Sequence, residues 1–202
     1  MTGPVDAAIA GEWADALIHG RRTVLPKRLA PPGPDAAQLQ RILGAAAAAP
    51  DHGELVPWRF ILIPEQARSA LADVFAAALR ARDAQATDEQ LTQARDKAFR
   101  APLLLLAVVR LGPPGDDIPP AERLVSAGCA IQNVLLMATA LGFGSALPSG
   151  KALGSGPLRA LFRLDADEQA LCFVSMGTIA GARRARARPG VERYVSELKV
   201  ER

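Results

Sequence analysis

The 202-residue sequence has few of the residues from which many enzyme sites are built. It contains two cysteines and two histidines, and aromatic residues make up only 4% of the chain. With two histidines and no CxxC pair, a histidine-rich or cysteine-rich metal centre is excluded, and we expect no metal. Cys129 and Cys172 are far apart in apolar surroundings, which favours free thiols and a cytoplasmic protein over a disulfide framework.

Several catalytic signatures are also missing from the chain. There is no Gly-rich phosphate loop of the Walker or dinucleotide type, no HExxH and no GxSxG. Hydrolysis by side chains alone therefore has few candidate residues. If the chain is an enzyme, we expect a bound cofactor to carry the difficult chemistry.

The charge and hydropathy of the chain favour neither a nucleic-acid partner nor a membrane. The formal net charge is +3 and the sequence pI is 9.2, and most of the positive charge comes from arginine. A charge this small is a weak argument for a nucleic-acid partner. The apolar stretch 129–147 is interrupted by Gln132 and Asn133, and Pro148 bounds it, so we predict a buried helix running into a strand. The N-terminal residues lack a basic segment before an apolar run, and we expect no signal peptide.

Half of the residues are hydrophobic, and their periodicity predicts one α+β or α/β layered domain over residues 1–202. Residues 181–202 are expected to form a C-terminal arm that contacts a partner subunit. The strand at 102–110 should be covered on both faces, and the helix at 120–141 should be buried on every side from Gly128 onward. Helices are predicted at 5–19, 35–49, 65–86, 88–99, 120–141 and 156–162, and strands at 58–63, 102–110, 143–147 and 170–179.

The segment "APDHGELVPW", residues 49–58, is the least generic part of the chain. Pro50 ends a helix, Gly53 allows a sharp turn, and His52 lies between them in a short loop before the strand that Trp58 opens. A loop histidine is most often a surface group, and Trp58 is most simply a core residue. The segment alone therefore gives His52 no role.

Arg21, Arg22 and Thr23 directly follow the first predicted helix, which Gly20 ends. Two guanidinium groups and a hydroxyl can bind a phosphate through several charge-assisted hydrogen bonds. Cations also stabilise the negative end of a helix dipole without binding any ligand. The spacing alone favours this second interpretation.

The order of these segments resembles the nitroreductase family, in particular the short bacterial NAD(P)H nitroreductases. The resemblance covers roughly residues 5–195. It is carried by "RRT", "LQRILGAAAAAPDHGELVPWRF", "FRAPLLLLAVV", "SAGCAIQNVLLMATALGFGSALPSG" and "MGTI", in that order. The family implies an α+β sandwich with a central, mostly antiparallel sheet flanked by helices, forming an intertwined homodimer. It also implies two FMN molecules at the dimer interface, reduced by NADH or NADPH and reoxidised by a nitroaromatic, a quinone or a related acceptor.

The resemblance assigns expected roles position by position. Arg21, Arg22 and Thr23 match the element that holds the FMN phosphate and ribityl chain, and His52 matches a flavin-contacting histidine. The turn Leu147, Pro148, Ser149 and Gly150 is expected beside the isoalloxazine ring. The helix end associated with the nicotinamide or substrate matches Met137, Ala138, Thr139, Ala140, Leu141 and Gly142. No side chain is expected to be an essential acid or base, because the flavin carries the chemistry.

The chain departs from its relatives at several of these positions. Val56 replaces a frequent glutamine, Ala48 stands at a possible arginine position, and Leu147 and Pro148 replace a Trp-Arg pair. Pro148 has no N–H to donate, so an amide reaching the flavin must come from Ser149 or Gly150. The basic segment 183–188 is a possible replacement for the lost arginines.

Two further functions stay open from the sequence. One is a degenerate nitroreductase-fold protein that binds flavin or regulates without this activity. The other is nucleic-acid binding through the basic segment 183–188, although such a charge run is more often a solvated or subunit-contacting segment. We expect no nucleic-acid partner and no membrane.

Overall fold

A computed structural model describes residues 6–181 and 187–200, and within them the chain folds into a five-stranded sheet with six α-helices. The predicted α+β class is confirmed, and each predicted helix and strand is present with ends shifted by a few residues. In chain order the elements are α1 Ala7–Gly20, β1 Leu29–Ala30, α2 Ala36–Gly44, β2 Trp58–Leu62, α3 Arg68–Arg82, α4 Asp88–Asp96, β3 Leu103–Arg110, α5 Pro120–Ala140, β4 Gly144–Ala146, α6 Gly156–Leu161 and β5 Glu168–Ile179.

The sheet is built around β5, the longest strand. The strand order is β1-β5-β3-β2, and β4 pairs with β5 on the edge opposite β3. All of these pairings are antiparallel, with Leu105 opposite Val174 and Ala146 opposite Ser175. The short strand β1, which pairs with the end of β5, was not predicted from the sequence.

Helices cover both faces of the sheet, so the central strands are buried on two sides. On one face, alternate residues of β3 such as Leu105 pack with Val174 of β5 against α2 and α5. On the other face, Leu106 and Phe173 pack against α3 and α6. This arrangement confirms that β3 is covered on both faces, and each fully buried leucine contributes about 1.5–3 kcal/mol to stability.

Local signals in the sequence define the helix starts. Asp35 caps α2 in a reciprocal capping box with Gln38, as predicted. Thr87 and Gln90 form a second capping box at α4. Pro120 occupies the first turn of α5, where its missing N–H would have had no partner within the helix.

One prediction about α5 is wrong for the single chain: the helix is not buried on every side. Within the range predicted to be buried, Gly128, Gln132 and Ala140 are exposed, and Val125, just before it, is 65% exposed. Helix α1 is still less covered, because none of its residues is buried and Trp13 is 60% exposed. Small side chains let α5 pack closely on the sheet with one face, but no described part of the chain covers the other.

Helix α5 is also the one helix of the described residues that is long and apolar enough to cross a membrane. It packs on the sheet and on α2, as the core helix of a folded domain does.

The two cysteines are free, and burial raises the pKa of the Cys172 thiol to about 11. That thiol is therefore protonated and unreactive near neutral pH.

A buried carboxylate connects the central strand β5 to the outer strand β2. Glu168, at the start of β5, accepts two hydrogen bonds of 2.6 Å from the guanidinium of Arg59 on β2. The backbone N–H of Asp165 donates a third at 3.1 Å. These hydrogen bonds, above all those from Arg59, hold the pKa of Glu168 below its ordinary value in spite of its burial.

Candidate functional site

The segment after α1 lies beside β4, although about 120 residues separate them in the chain. Thr23 forms an isolated parallel bridge with Ser145, and the N–H of Val24 donates to the carbonyl oxygen of Ser145 at 2.9 Å. The residues that follow β4 are Leu147 to Gly150. The structure therefore brings two of the segments assigned to the cofactor, Arg21–Thr23 and the turn 147–150, next to one another within one chain.

Three arginines converge at this place. The Nη2 of Arg188 donates a hydrogen bond of 2.9 Å to the carbonyl oxygen of Arg21. Burial lowers the pKa of the Arg21 guanidinium, and the charges of Arg188 and Arg22 lower it further. The basic segment 183–188 thus reaches the candidate phosphate element through Arg188, while residues 183–186 lie outside the described part of the chain.

Arg22 has contacts that fit the simpler, helix-ending role as well. Its Nη1 donates to the carbonyl oxygen of His19 in the last turn of α1 and, at 3.0 Å, to that of Arg21. These contacts place a cation at the negative end of the helix dipole. Of the two arginines, Arg21 is therefore the better placed to share an anion with Arg188.

The turn after β4 lines a cavity of about 500 Å³ that lies on the α3 face of the sheet. Pro148, Ser149 and Gly150 form one side of it. Phe75, Leu79 and Phe173 are among the apolar residues of its lining, and the rings of Phe75 and Phe173 meet edge to face with centroids 5.4 Å apart. The volume and the apolar lining are typical of sites for small organic ligands.

Backbone donors in the turn are free for a ligand. The carbonyl oxygen of Pro148 accepts a hydrogen bond of 2.9 Å from the N–H of Phe173, which fixes the turn against β5. Among the described residues, no acceptor pairs with the N–H of Ser149 or of Gly150. As expected from the missing N–H of Pro148, these two amides are the available donors.

Four cationic side chains at the cavity were not identified from the sequence. Arg82 ends α3, Lys97 and Arg100 lie between α4 and β3, and Lys151 follows the turn after β4. All four are exposed, and no aspartate or glutamate of the described residues lines the same cavity. Their positions in the sequence resemble ordinary solvated helix ends, so only the packing of α3 and α4 against the sheet shows that they meet.

The loop that carries His52 has the sharp turn predicted for it. Gly53 has a φ of 74°, and Glu54 and Val56 have φ values of 52° and 45°. The left-handed region is unfavourable for a β-branched residue such as Val56. The carboxylate of Asp51 accepts a hydrogen bond of 2.6 Å from the N–H of Val56, which helps to hold this conformation.

His52 itself faces α5 and not the cavity beside Pro148. Its Nδ1 lies 2.8 Å from the Oε2 of Glu122 in the first turn of α5, and its side chain is 69% exposed. With Glu122, Val125 and Ser126 it lines a separate hollow of about 330 Å³. A single chain therefore does not bring His52 together with the turn 147–150.

The residues assigned to the nicotinamide region lie at the C-terminal end of α5. Ala138 is fully buried in the core, and Thr139 donates its hydroxyl to the carbonyl oxygen of Leu135 at 2.9 Å. Gly142 ends the helix region with a φ of 83°. None of the six residues from Met137 to Gly142 lines the cavity of about 500 Å³. Their assignment stays a prediction.

Metal chemistry has no visible basis in the described part of the chain. Within residues 6–181 and 187–200, no group of three or more His, Cys, Asp or Glu side chains could hold a metal ion. Of the residues assigned to the cofactor, Pro148, Ser149 and Gly150 line the cation-rimmed cavity, and His52 lines the separate hollow.

Comparison with solved structures identifies the same fold in flavin enzymes. A nitroreductase-like protein of Bacillus cereus superposes with a TM-score of 0.76 at 19% identity, covering 98% of each chain. A second match is a single-residue variant of NfnB, described as an FMN and NADPH-dependent nitroreductase from Sphigopyxis sp. strain HMH. It superposes with a TM-score of 0.70 at 20% identity, covering 91% of this chain and 97% of that one. These similarities confirm the nitroreductase-like fold.

Sequence comparison defines the family. A Haemophilus influenzae protein named "Putative NAD(P)H nitroreductase" is 36% identical over 152 residues, which are 75% of this chain and 82% of the relative. The sequence profile of the Nitroreductase family matches residues 18–178, from the end of α1 to the end of β5. This match includes the segment after α1, the His52 loop and the turn after β4, and it shows that the chain belongs to the Nitroreductase family.

Proposed function

We propose that this protein is an FMN-dependent oxidoreductase. It uses NADH or NADPH to reduce nitroaromatic, quinone or related acceptors. One observation carries the proposal: Arg21 and Arg188 meet just before Thr23, which bridges to Ser145 of β4, and the turn that follows β4 lines a cavity of about 500 Å³. Cations, amide donors and an apolar floor are the features that a phosphorylated flavin requires.

The arginines fit the phosphate end of FMN. Burial lowers the pKa of Arg21, and repulsion from the charges of Arg188 and Arg22 lowers it further. A phosphate dianion among these side chains would reverse that repulsion and accept several charge-assisted hydrogen bonds. The hydroxyl of Thr23, held beside β4 by the bridge to Ser145, is a further donor for the phosphate or ribityl chain.

The cavity fits the ring end of FMN. Phe75, Leu79 and Phe173 offer apolar surface for a flat ring system, and the N–H groups of Ser149 and Gly150 can donate to its polar edge. When bound, FMN supplies the redox chemistry, taking a hydride from NAD(P)H and giving electrons to the acceptor. The chain's own residues bind and orient this group, and none has to act as an essential acid or base.

The kinetic order is part of the same proposal. The nicotinamide donor and the acceptor both react at the flavin, so they compete for the same exposed face of its ring. We propose that they bind there in turn, which gives a ping-pong mechanism.

We further propose a homodimer with the two sites at the subunit interface. Trp13 of α1 and Val125 of α5 expose large apolar side chains, and so do Tyr194 and Leu198 of the C-terminal arm. Covering them with a second copy would remove this surface from water. In such a dimer, His52 from one subunit can contact the flavin held by the other, which explains why one chain does not bring the two together.

Absorption spectroscopy tests the proposed function directly. The purified protein, or the protein reconstituted with FMN, should show flavin absorption that bleaches with NADH or NADPH under anaerobic conditions and returns when a nitroaromatic is added. Failure to bind FMN by isothermal titration calorimetry would instead favour a degenerate member of the fold.

The free cysteines fit the cytoplasmic location that we propose.

A further inference from the structure

We propose that the cavity selects acceptors that carry a negatively charged group on an aromatic body, such as aromatic carboxylates. The selecting side chains are Arg82 and Arg100, on the cavity rim. This inference names a substrate class for the proposed function and therefore rests on it.

The rim has a surplus of positive charge. Arg82, Lys97, Arg100 and Lys151 come from three different parts of the chain, and none has a carboxylate partner among the described residues. By contrast, Arg95 of α4 is paired, with Asp73 of α3 at 2.9 Å. Four unpaired cations around one cavity repel one another, and an anionic ligand would relieve that repulsion.

The cofactor does not account for this charge. Its one strongly anionic group is the phosphate, and Arg21, Arg22 and Arg188 already form a cationic cluster for it beside Thr23. Arg82 and Arg100 lie instead near Phe75 and Leu79, on the α3 and α4 side of the cavity. Their charges are available to a second molecule.

The floor beneath the rim indicates the body of that molecule. The edge-to-face pair of Phe75 and Phe173 offers apolar surface with little polar competition for the flavin ring that we propose to pack on it. An aromatic acceptor can stack on the open side of that ring while its carboxylate stays at the level of the exposed guanidinium groups of the rim. Arginine favours this geometry because its planar fork binds a carboxylate through two parallel hydrogen bonds.

The phosphates of NAD(P)H offer similar negative charge, so the experiment separates the donor from the acceptor. 4-Nitrobenzoate and 4-nitrobenzamide have nearly the same shape and differ in charge. Binding of each to the oxidised, FMN-loaded protein is measured by calorimetry without any reductant, so the readout does not depend on turnover. The KM values of NADH and NADPH are measured separately.

The double variant Arg82→Gln/Arg100→Gln is compared with Arg80→Gln. Arg80 also lies on α3, but it lines a different groove with Asp73 and Arg95. We expect the wild type to bind nitrobenzoate more tightly than nitrobenzamide. That ratio should fall about tenfold in the double variant, in line with two partly exposed charge-assisted contacts, and should stay unchanged in Arg80→Gln. Raising the salt concentration should weaken nitrobenzoate binding selectively.

Four results would overturn the inference. The charge preference could be absent in the wild type or persist in the double variant. The double variant could lose FMN affinity instead, which would show that the rim binds the cofactor. The effect of the two substitutions could also be confined to the KM of NADH or NADPH, which would show that the rim binds the hydride donor. A protein that does not bind FMN would refute the proposed function itself, whereas reduction of both acceptors without charge preference would refute this inference alone.

Discussion

The guanidinium of Arg188 donates a hydrogen bond to the carbonyl oxygen of Arg21 across 167 residues of sequence, with an Nη2–O distance of 2.9 Å. The contact brings the C-terminal arm back to the end of α1. It also places like charges together: burial lowers the pKa of Arg21, and the charges of Arg188 and Arg22 lower it further. No carboxylate among the described residues pairs with these three arginines, and clustered cations of this kind favour the binding of an anion.

The first prediction concerns this cluster. Replacement of Arg21, Arg22 or Arg188 by alanine should each lower FMN affinity, by about 1.5–3 kcal/mol where a charge-assisted hydrogen bond is lost. We expect the smallest loss for Arg22, because its guanidinium also binds the carbonyl oxygens that end α1. Titration calorimetry with FMN measures the loss, and circular dichroism checks that the fold survives. Unchanged FMN affinity in all three variants would show that the arginines merely end a helix and hold the arm.

The second prediction concerns His52. His52→Ala should lower FMN affinity or the rate of hydride transfer by a modest factor, about tenfold for each 1.4 kcal/mol lost, with activity still measurable at saturating FMN. The expected reason is that His52 orients the flavin and does not donate the essential proton, which water can supply at an open site. Stopped-flow measurement of the two half-reactions provides the test.

A general-acid role for His52 makes a different prediction for the same variant. The oxidative half-reaction alone would then fall by about a hundredfold or more, with flavin reduction unaffected. Glu122→Gln is the matched control, because it removes the charge facing the Nδ1 of His52 and leaves the imidazole in place. A selective collapse of the second half-reaction in His52→Ala would refute the orienting role.

The third prediction concerns the oligomeric state. Light scattering should show a homodimer at micromolar concentration, with an interface well above about 2,000 Å² in total. Trp13→Glu and Val125→Glu should each weaken the dimer, because both place a charge on an exposed apolar surface. Ala77→Glu, on the outer face of α3, is the control and should stay dimeric. A folded wild-type monomer would contradict the prediction.

The fourth prediction concerns stability at low pH. Because hydrogen bonds from Arg59 lower the pKa of Glu168 in the folded state, their contribution is present above the unfolded value of about 4.3 and disappears as the pH falls through the folded value. Glu168→Gln should therefore lower the free energy of unfolding by about 1.5–3 kcal/mol at pH 7. Urea unfolding at pH 7 and at pH 3 measures this difference. If the difference between the two proteins does not shrink at pH 3, the ion pair is not its cause.

The sequence by itself determined the elements and their order. The capping box of Asp35 and Gln38 and the buried strand at 103–110 depend on neighbouring residues, so local patterns predicted them. The helix predicted to end at Pro50 instead ends at Gly44, and a 3-10 helix, Ala45–Ala48, follows it. The resemblance to the nitroreductases added the family, which the comparisons confirm. It also singled out the segment 21–23 and the turn 147–150, which the structure places side by side.

Only the tertiary structure decided which distant groups meet. Arg82, Lys97, Arg100 and Lys151 look like solvated charges in the sequence, and they surround one cavity because α3 and α4 pack on the sheet. The exposed face of α5 was predicted wrongly for a related reason. Hydrophobic periodicity indicates which side chains are to be buried. It does not indicate whether the same chain or a second copy of it covers them.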